Sequence, residues 1–435
     1  MSTVAEVKLW GSTIGAVALD DGATTAAFEY DRAFAASGIE VAPLTMPLGD
    51  RVYSFPGLSA ESFHGLPGLL ADSLPDRFGN ALIAAWLATQ GRAPESFNAV
   101  ERLCYTGTRG MGALEFFPAT GPQPRRSTRL QVDRLVALAS DILRHRGELE
   151  TTFDDVRKAD GLRDILRVGT SAGGARAKAV IAWHRKTNEV RSGQVQEGSG
   201  FEYWLLKFDG VSGNQDKELD DPQGYGAIEY AYHRMATACG VVMAECRLLE
   251  EDGRRHFMTR RFDRLPDGGK LHMQSLAAMA HLDFNQARAH SYEQAMQVAR
   301  RLGLPMADVD QLFRRMVFNI IARNQDDHVK NVAFLMNRSG TWSLAPAFDV
   351  IHSYQPRGQW TSSHQMTLNG KREDFVLADF EACARAASLK RGRAKTIIAE
   401  VLESVRRWRD HADAVGVHPA QRDAIHNTLR ISPLF

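Results

Sequence analysis

The chain has 435 residues, 44% of them hydrophobic and 24% charged, with a formal net charge of +1. That length allows two or three domains around a sizeable core, and the near-neutral balance gives no reason to expect a chain that itself binds nucleic acid strongly. Four cysteines, Cys104, Cys239, Cys246 and Cys383, show no metal-ligand spacing and suit a reducing cytoplasm.

The N-terminus carries Glu6 early and lacks the apolar stretch of a signal peptide. The uncharged run FGNALIAAWLATQG falls short of the roughly 18–20 residues that span a bilayer, so no membrane partner is expected and the chain reads as soluble and cytoplasmic. Residues 1–120 form the first expected domain. Its runs VKLW, GAVAL and AAFEY, with turns at Gly11 and Asp20–Gly22, predict an antiparallel meander. A helix follows over ALIAAWLATQG and stops at Gly91. The Pro-, Gly- and Arg-rich segment 118–129 reads as a linker.

The second expected domain, 121–265, opens with the amphipathic helix LQVDRLVALASDILRHR. AKAVIAWHR and EVRSGQVQ then predict a hairpin, and FEYWLLKFD and RHFMTRRFD predict strands. Between the last two, YGAIEYAYHRMATACG has helical spacing and ends at Gly240. From 266 to 435 the pattern is mainly helical, with stretches at 291–303, 307–323, 377–389 and 392–415. The class is α+β: β-rich, then mixed, then helical.

Within the third domain, NIIARNQDDHVKNVAFL places a hydrophilic insert between two apolar runs. Leu312, Phe313, Met316, Val317, Ile320 and Ile321 form one face of the helix before it. VAFLM and TWSLAPAFDVI, joined by NRSG, predict the hairpin after it, with Asp349 close to the end of the second strand. Such a loop is a rigid mount for polar groups. Phosphoryl transfer asks a protein mostly for positioning and charge neutralisation. Asp326 and Asn331 have the spacing of the base and the metal-binding amide in a protein-kinase catalytic loop, and Asp349 falls where a second metal ligand belongs. Asp327 is expected to be exposed or to stand behind the ligands. His328 is expected to hold the loop by hydrogen bonds.

Two further features precede the loop in kinase order. VGTSAGGARAKAVIAW offers small residues whose backbone amides can approach phosphate, although no Gly-Lys-Ser/Thr follows as in a Walker A loop. Lys207 ends the apolar strand FEYWLLK and can reach nucleotide phosphates, with Glu229 on the next helix as a candidate partner.

With SAGGARAK (171–178), NQDDHVKN (324–331), LAPAFDV (344–350) and MTLNGK (366–371), the chain resembles the HipA family of bacterial toxin kinases. LPGLLADSLPDRFG (66–79) and YTGTRGMGALEF (105–116) resemble that family's N-terminal subdomain. The resemblance implies a two-lobed serine/threonine kinase fold related to phosphoinositide 3/4-kinases, using ATP and Mg2+. It places the base on Asp326, magnesium on Asn331 and Asp349, and ATP phosphates on Lys207. It makes Ser171 the autophosphorylated serine, with Gly173, Gly174 and Lys178 completing that motif. It puts Phe262 and Arg260 at the adenine hinge and His328 and Lys330 beside the nucleotide. Its implied partners are a HipB-like helix-turn-helix antitoxin, operator DNA reached chiefly through it, and a protein substrate, aminoacyl-tRNA synthetases being known ones.

Three positions depart from the family pattern: Ala177 where many relatives carry Pro, Arg260 where an acidic residue is familiar, and LHMQSLA without an acidic pair after its His. None removes a catalytic group. Two rival readings stay open: a metal-dependent phosphodiesterase using Asp326, Asp327, His328 and Asp349, and a catalytically weak binding protein or co-regulator.

Overall fold

A computed structural model describes residues 2–122, 130–144, 165–166, 169, 176–194, 200–211 and 223–432. The chain divides into two compact units, one of residues 1–40, 48–226 and 245–273, the other of 41–47, 227–244 and 274–435. The expected linker lies partly, and Ser171, Gly173 and Gly174 wholly, outside the described residues.

The first unit contains two antiparallel sheets. Strands β1 (Thr3–Leu9), β2 (Ser12–Leu19), β3 (Ala27–Tyr30), β4 (Val52–Tyr53) and β5 (Leu114–Phe117) align in the order β4-β3-β2-β1-β5. The meander is therefore present, with β5 added at its far edge. Alternation drives it: Ala5, Val7 and Leu9 are buried while their neighbours on β1 face outward. Gly15 of β2 permits close pairing, since a Cβ there would sit 2.2 Å from the Glu29 carbonyl oxygen.

The second sheet has the order β7-β6-β8-β10-β9, from β6 (Lys178–His184), β7 (Glu189–Ser192), β8 (Phe201–Lys207), β9 (Cys246–Glu251) and β10 (Arg254–Arg260). One face carries Ala179, Ile181, Trp204, Leu206 and Met258, which join Phe78 and Leu82 of the helix Arg77–Ala88 and the apolar stripe of the helix Val132–Arg144 in one core. Period-2 alternation turns Lys178, Leu205, Lys207 and Phe257 to the other face. The segment after β10 is anchored by Asp263, 0% exposed, which accepts from Arg261 Nε and Nη2 at 2.9 and 2.7 Å, Arg264 Nη1 at 2.8 Å and Gly112 N at 2.7 Å. Burial pushes this carboxyl up, but the two guanidiniums outweigh it and hold it well below its ordinary value.

The second unit is mainly helical, with helices Tyr292–Arg301, Met306–Ile321 and Leu377–Ala386 close to their expected limits, while the stretch expected over 392–415 is split into Arg393–Arg406 and Trp408–Asp413. Its sheet has the order β11-β12-β13, from β11 (His272–Ser275), β12 (Ala333–Met336) and β13 (Trp342–Leu344). Two expectations change here. HMQS forms a strand within a region whose pattern reads as helical. The second hairpin strand stops at Leu344 instead of running on to Asp349, because Pro346 has no N–H for the ladder. Ala345 N still donates to Ala333 O at 3.0 Å, and Ala347 then turns away to donate to Val242 O at 2.8 Å.

Candidate active site

The helix Met306–Ile321 buries the apolar face that its spacing predicts, and its chain continues into the loop 322–328 and a single 3-10 turn, Val329–Asn331. Backbone bonds fix the loop: Gln325 N donates to Ser353 O at 3.1 Å, Ser353 N to Arg323 O at 3.0 Å and Asn324 N to Asn319 O at 3.0 Å, with Asn324 Nδ2 adding a side-chain bond to Asn319 Oδ1 at 2.9 Å. Asp326 keeps a side chain 42% exposed. Asn331 Nδ2 donates to the Asp326 carbonyl at 2.8 Å, which commits its amide nitrogen and leaves Oδ1 as the acceptor end. Asp326 and the amide five residues on are thus joined through one hydrogen bond.

Asp349 reaches its place by another route. The parallel bridge between Met243 and Ala347 fixes the chain just ahead of it, and Asp349 itself adopts φ +52. A left-handed aspartate is uncommon outside turns and functional sites.

Of the two places expected for Asp327, exposed or behind the ligands, burial rules out the first. The residue is 2% exposed and forms the centre of a buried network. Its Oδ2 lies 2.7 Å from His364 Nδ1 and also accepts from the Tyr292 hydroxyl, while Oδ1 accepts from Gln365 N at 2.7 Å. Arg430 Nη1 stands 2.9 Å from His364 Nε2. A guanidinium only donates, so Nε2 accepts and Nδ1–H donates to Asp327, which makes the ring neutral. Burial raises the Asp327 carboxyl, but His364, Tyr292 and the Gln365 amide together hold it below 3.8. Burial in turn lowers His364 and raises Tyr292 well above 10.0. Tyr292, His364, Gln365 and Arg430 are the residues that the sequence reading missed. None of them lies in the insert or in a motif that marks it, and only folding brings them to the loop.

His328 does not hold the loop through its ring. Its Nε2 is 3.7 Å from Asp326 Oδ1 and its buried Nδ1 has no hydrogen-bond partner. The tie is its carbonyl, which accepts from Asn331 N at 2.9 Å. Lys330 Nζ sits 4.4 Å from the Phe284 ring centroid. Behind the loop lies a cavity of about 30 Å³, bounded by Tyr292, Arg315, Asn324, Asp327 and Asn331 among others. It has room for one or two waters, and the unpartnered Asn324 Oδ1 and Arg315 Nε and Nη1 supply polar walls.

In the first unit, Lys207 stands directly opposite Lys178 on β6 and Phe257 on β10. Its Nζ is 5.8 Å from the Phe257 ring centroid. Lys178 is 2% exposed, and its Nζ lies 2.9 Å from Asp76 Oδ2. Arg260 ends β10, where its N donates to Glu245 O at 2.8 Å, and Phe262 follows, half-buried, between the clamped Arg261 and Asp263. In the second unit Glu229, 1% exposed, lies on the helix Tyr225–Ala238. Among the described residues no three or more His, Cys, Asp or Glu side chains form a metal-binding group. No helix among them is long and apolar enough to cross a membrane.

Residues 5–117 match the HipA N-terminal domain, and residues 170–409 match the HipA-like C-terminal domain. Two relatives from Sinorhizobium fredii bear the names "Putative kinase Y4dM" and "Putative kinase Y4mE". The first is 26% identical over 219 residues, 46% of this chain and 52% of its own length. The second is 26% identical over 127 residues, 27% of this chain and 30% of its own. The chain therefore spans about half the length of the first of these relatives and under a third of the second. Among solved structures, a chain of the Shewanella oneidensis MR-1 toxin–antitoxin complex of HipA, HipB and operator DNA superposes with a TM-score of 0.67 at 18% identity, covering 98% of this chain and 96% of that one. The two share a mixed α/β fold.

Proposed function

The chain belongs to the HipA family, and from that premise we propose that it is an ATP- and magnesium-dependent serine/threonine protein kinase, the toxin of a toxin–antitoxin pair. The observation that carries the proposal is the joined pair Asp326 and Asn331 on a loop fixed by backbone bonds, followed by a left-handed Asp349. Asp326 accepts the proton of the substrate hydroxyl as its oxygen bonds to the γ-phosphorus and the bond to the ADP oxygen breaks. Its partial exposure suits a group that a protein substrate has to reach.

The donor set fits magnesium. Asn331 Oδ1 and the Asp349 carboxylate are hard oxygen donors, and magnesium takes one or two such protein ligands beside substrate phosphates and water. The bound ion would draw charge from the phosphate oxygens. Lys207, on the sheet face opposite the helix-packed core, is assigned to the phosphates. Phe262 and Arg260 are assigned to the adenine side, and His328 and Lys330 to the nucleotide's other flank. Ser171, with Gly173, Gly174 and Lys178 in its motif, is assigned as the autophosphorylated residue. A phosphate there adds about −1.5 to −2 charges beside a phosphate site, which repels nucleotide.

The same reading divides the chain into an N-terminal HipA-like subdomain (1–120), a kinase N-lobe (121–265) and a C-lobe (266–435), related to phosphoinositide 3/4-kinases. It gives the protein a HipB-like antitoxin as partner and reaches operator DNA through that partner. A net charge of +1 agrees with leaving DNA contact to the antitoxin. The target is a cellular protein whose phosphorylation arrests growth, such as an aminoacyl-tRNA synthetase.

Thermal unfolding tests the nucleotide half of the proposal. Saturating MgATP raises Tm in the wild type by mass action, and Lys207→Met removes most of the rise. An unchanged wild-type Tm, with no binding by equilibrium dialysis, contradicts it.

A further inference from the structure

Asp76 caps the helix Arg77–Ala88, its Oδ1 accepting from Gly79 N at 2.6 Å. Its Oδ2 lies 2.9 Å from Lys178 Nζ, and the two side chains are 7% and 3% exposed. The contact is an ion pair without the alignment of a directed hydrogen bond. The partners are 102 residues apart and come from the two domains matched separately, 5–117 and 170–409.

Lys178 needs such a partner. It is paired in register with Lys207 across β6 and β8, and directly opposite like charges repel. Burial makes an uncompensated ammonium costlier still. Asp76 sets a carboxylate against Lys178. The same helix meets the chain on the other side of residues 170–175. A Cβ on Gly169 would stand 2.7 Å from Leu82 Cδ1 and 3.2 Å from Phe78 Cε1. Just before it, Arg109 Nη1 donates to Leu166 O at 2.9 Å. Both described flanks of the glycine-rich stretch are thus held by residues of the N-terminal domain.

We propose that Asp76 is a positioning residue of the nucleoside-triphosphate site: it fixes Lys178 in a buried ion pair and leaves the cationic contact to the phosphates to Lys207. This rests on the kinase reading above. It makes the N-terminal domain part of the machinery for phosphoryl transfer, and it gives Lys178 an anchoring role.

The test uses the full chain and MgATP, with Tm and steady-state kinetics read on Asp76→Asn, Asp76→Glu and the double variant Asp76→Asn/Lys178→Met. Asp76→Asn removes the carboxylate that Lys178 pairs with. It lowers Tm and raises KM for MgATP about tenfold, a factor equivalent to about 1.4 kcal/mol, with kcat changed far less. Asp76→Glu restores part of the KM. The double variant removes both members of the ion pair, so Tm recovers while KM stays raised. A merely structural pair predicts otherwise: the double variant then recovers both Tm and KM, and that result overturns the proposal. Should Asp76→Asn fail to fold, the double variant alone decides, a wild-type KM overturning and a raised KM supporting. Wild type that binds MgATP, with variants that match it in KM, sinks this inference and spares the kinase reading. Wild type that binds none removes both.

Discussion

Asp326 and Asp327 are sequence neighbours with opposite surroundings. The first is 42% exposed at the side chain, and the second is sealed among Tyr292, His364 and Gln365. Their substitutions therefore separate activity from stability. Asp326→Asn lowers phosphoryl transfer by about 10²–10⁴-fold and leaves Tm at the wild-type value, as measured by phosphate incorporation and calorimetry. Asp327→Asn puts an amide where three donors converge. It costs about 2–3 kcal/mol, read as a lower urea midpoint at unchanged m. The Asp326–Asn331 spacing was legible because both residues sit in one short insert. The role of Asp327 was not, since its partners lie 35, 37 and 38 residues away and carry no periodic signal. The Asp76–Lys178 pair was hidden for the same reason: LPDRFG reads as a motif, but nothing local names its distant partner.

At the scale of elements, helices and hairpins were legible wherever apolar period and turn residues agreed, as in β6–β7 and the helix Met306–Ile321. Boundaries set by hydrogen bonding were not. Pro346 ends β13 early, and the route to Asp349 runs through a parallel bridge that no local pattern encodes. Close approach between elements is equally silent in sequence. Gly169 is such a point: its missing Cβ admits Leu82 and Phe78. Gly169→Ala overpacks that contact and lowers stability by about 1–3 kcal/mol, visible in denaturant melts. An unchanged midpoint would show that the helix Arg77–Ala88 is not held against this segment.

Across the whole molecule, one buried histidine and two half-buried ones shape the response to acid. Burial lowers His256 in the first unit, and His281 and His352 in the second, from 6.5 to about 4. The unfolded chain therefore binds more protons than the folded one between those values. Stability is complete above pH 6.5 and is lost as pH falls toward 4. Tm measured across that interval falls with pH, and a flat profile contradicts these lowered imidazoles. The central claim is phosphoryl transfer through Asp326. Its most direct test is to incubate the purified chain, of verified starting mass, with ATP and magnesium beside Asp326→Asn, and to locate phosphate by intact and peptide mass spectrometry. Phosphate on Ser171 in the wild type alone is the predicted result. An unmodified wild type that gains none, or an Asp326→Asn chain that gains as much, contradicts it.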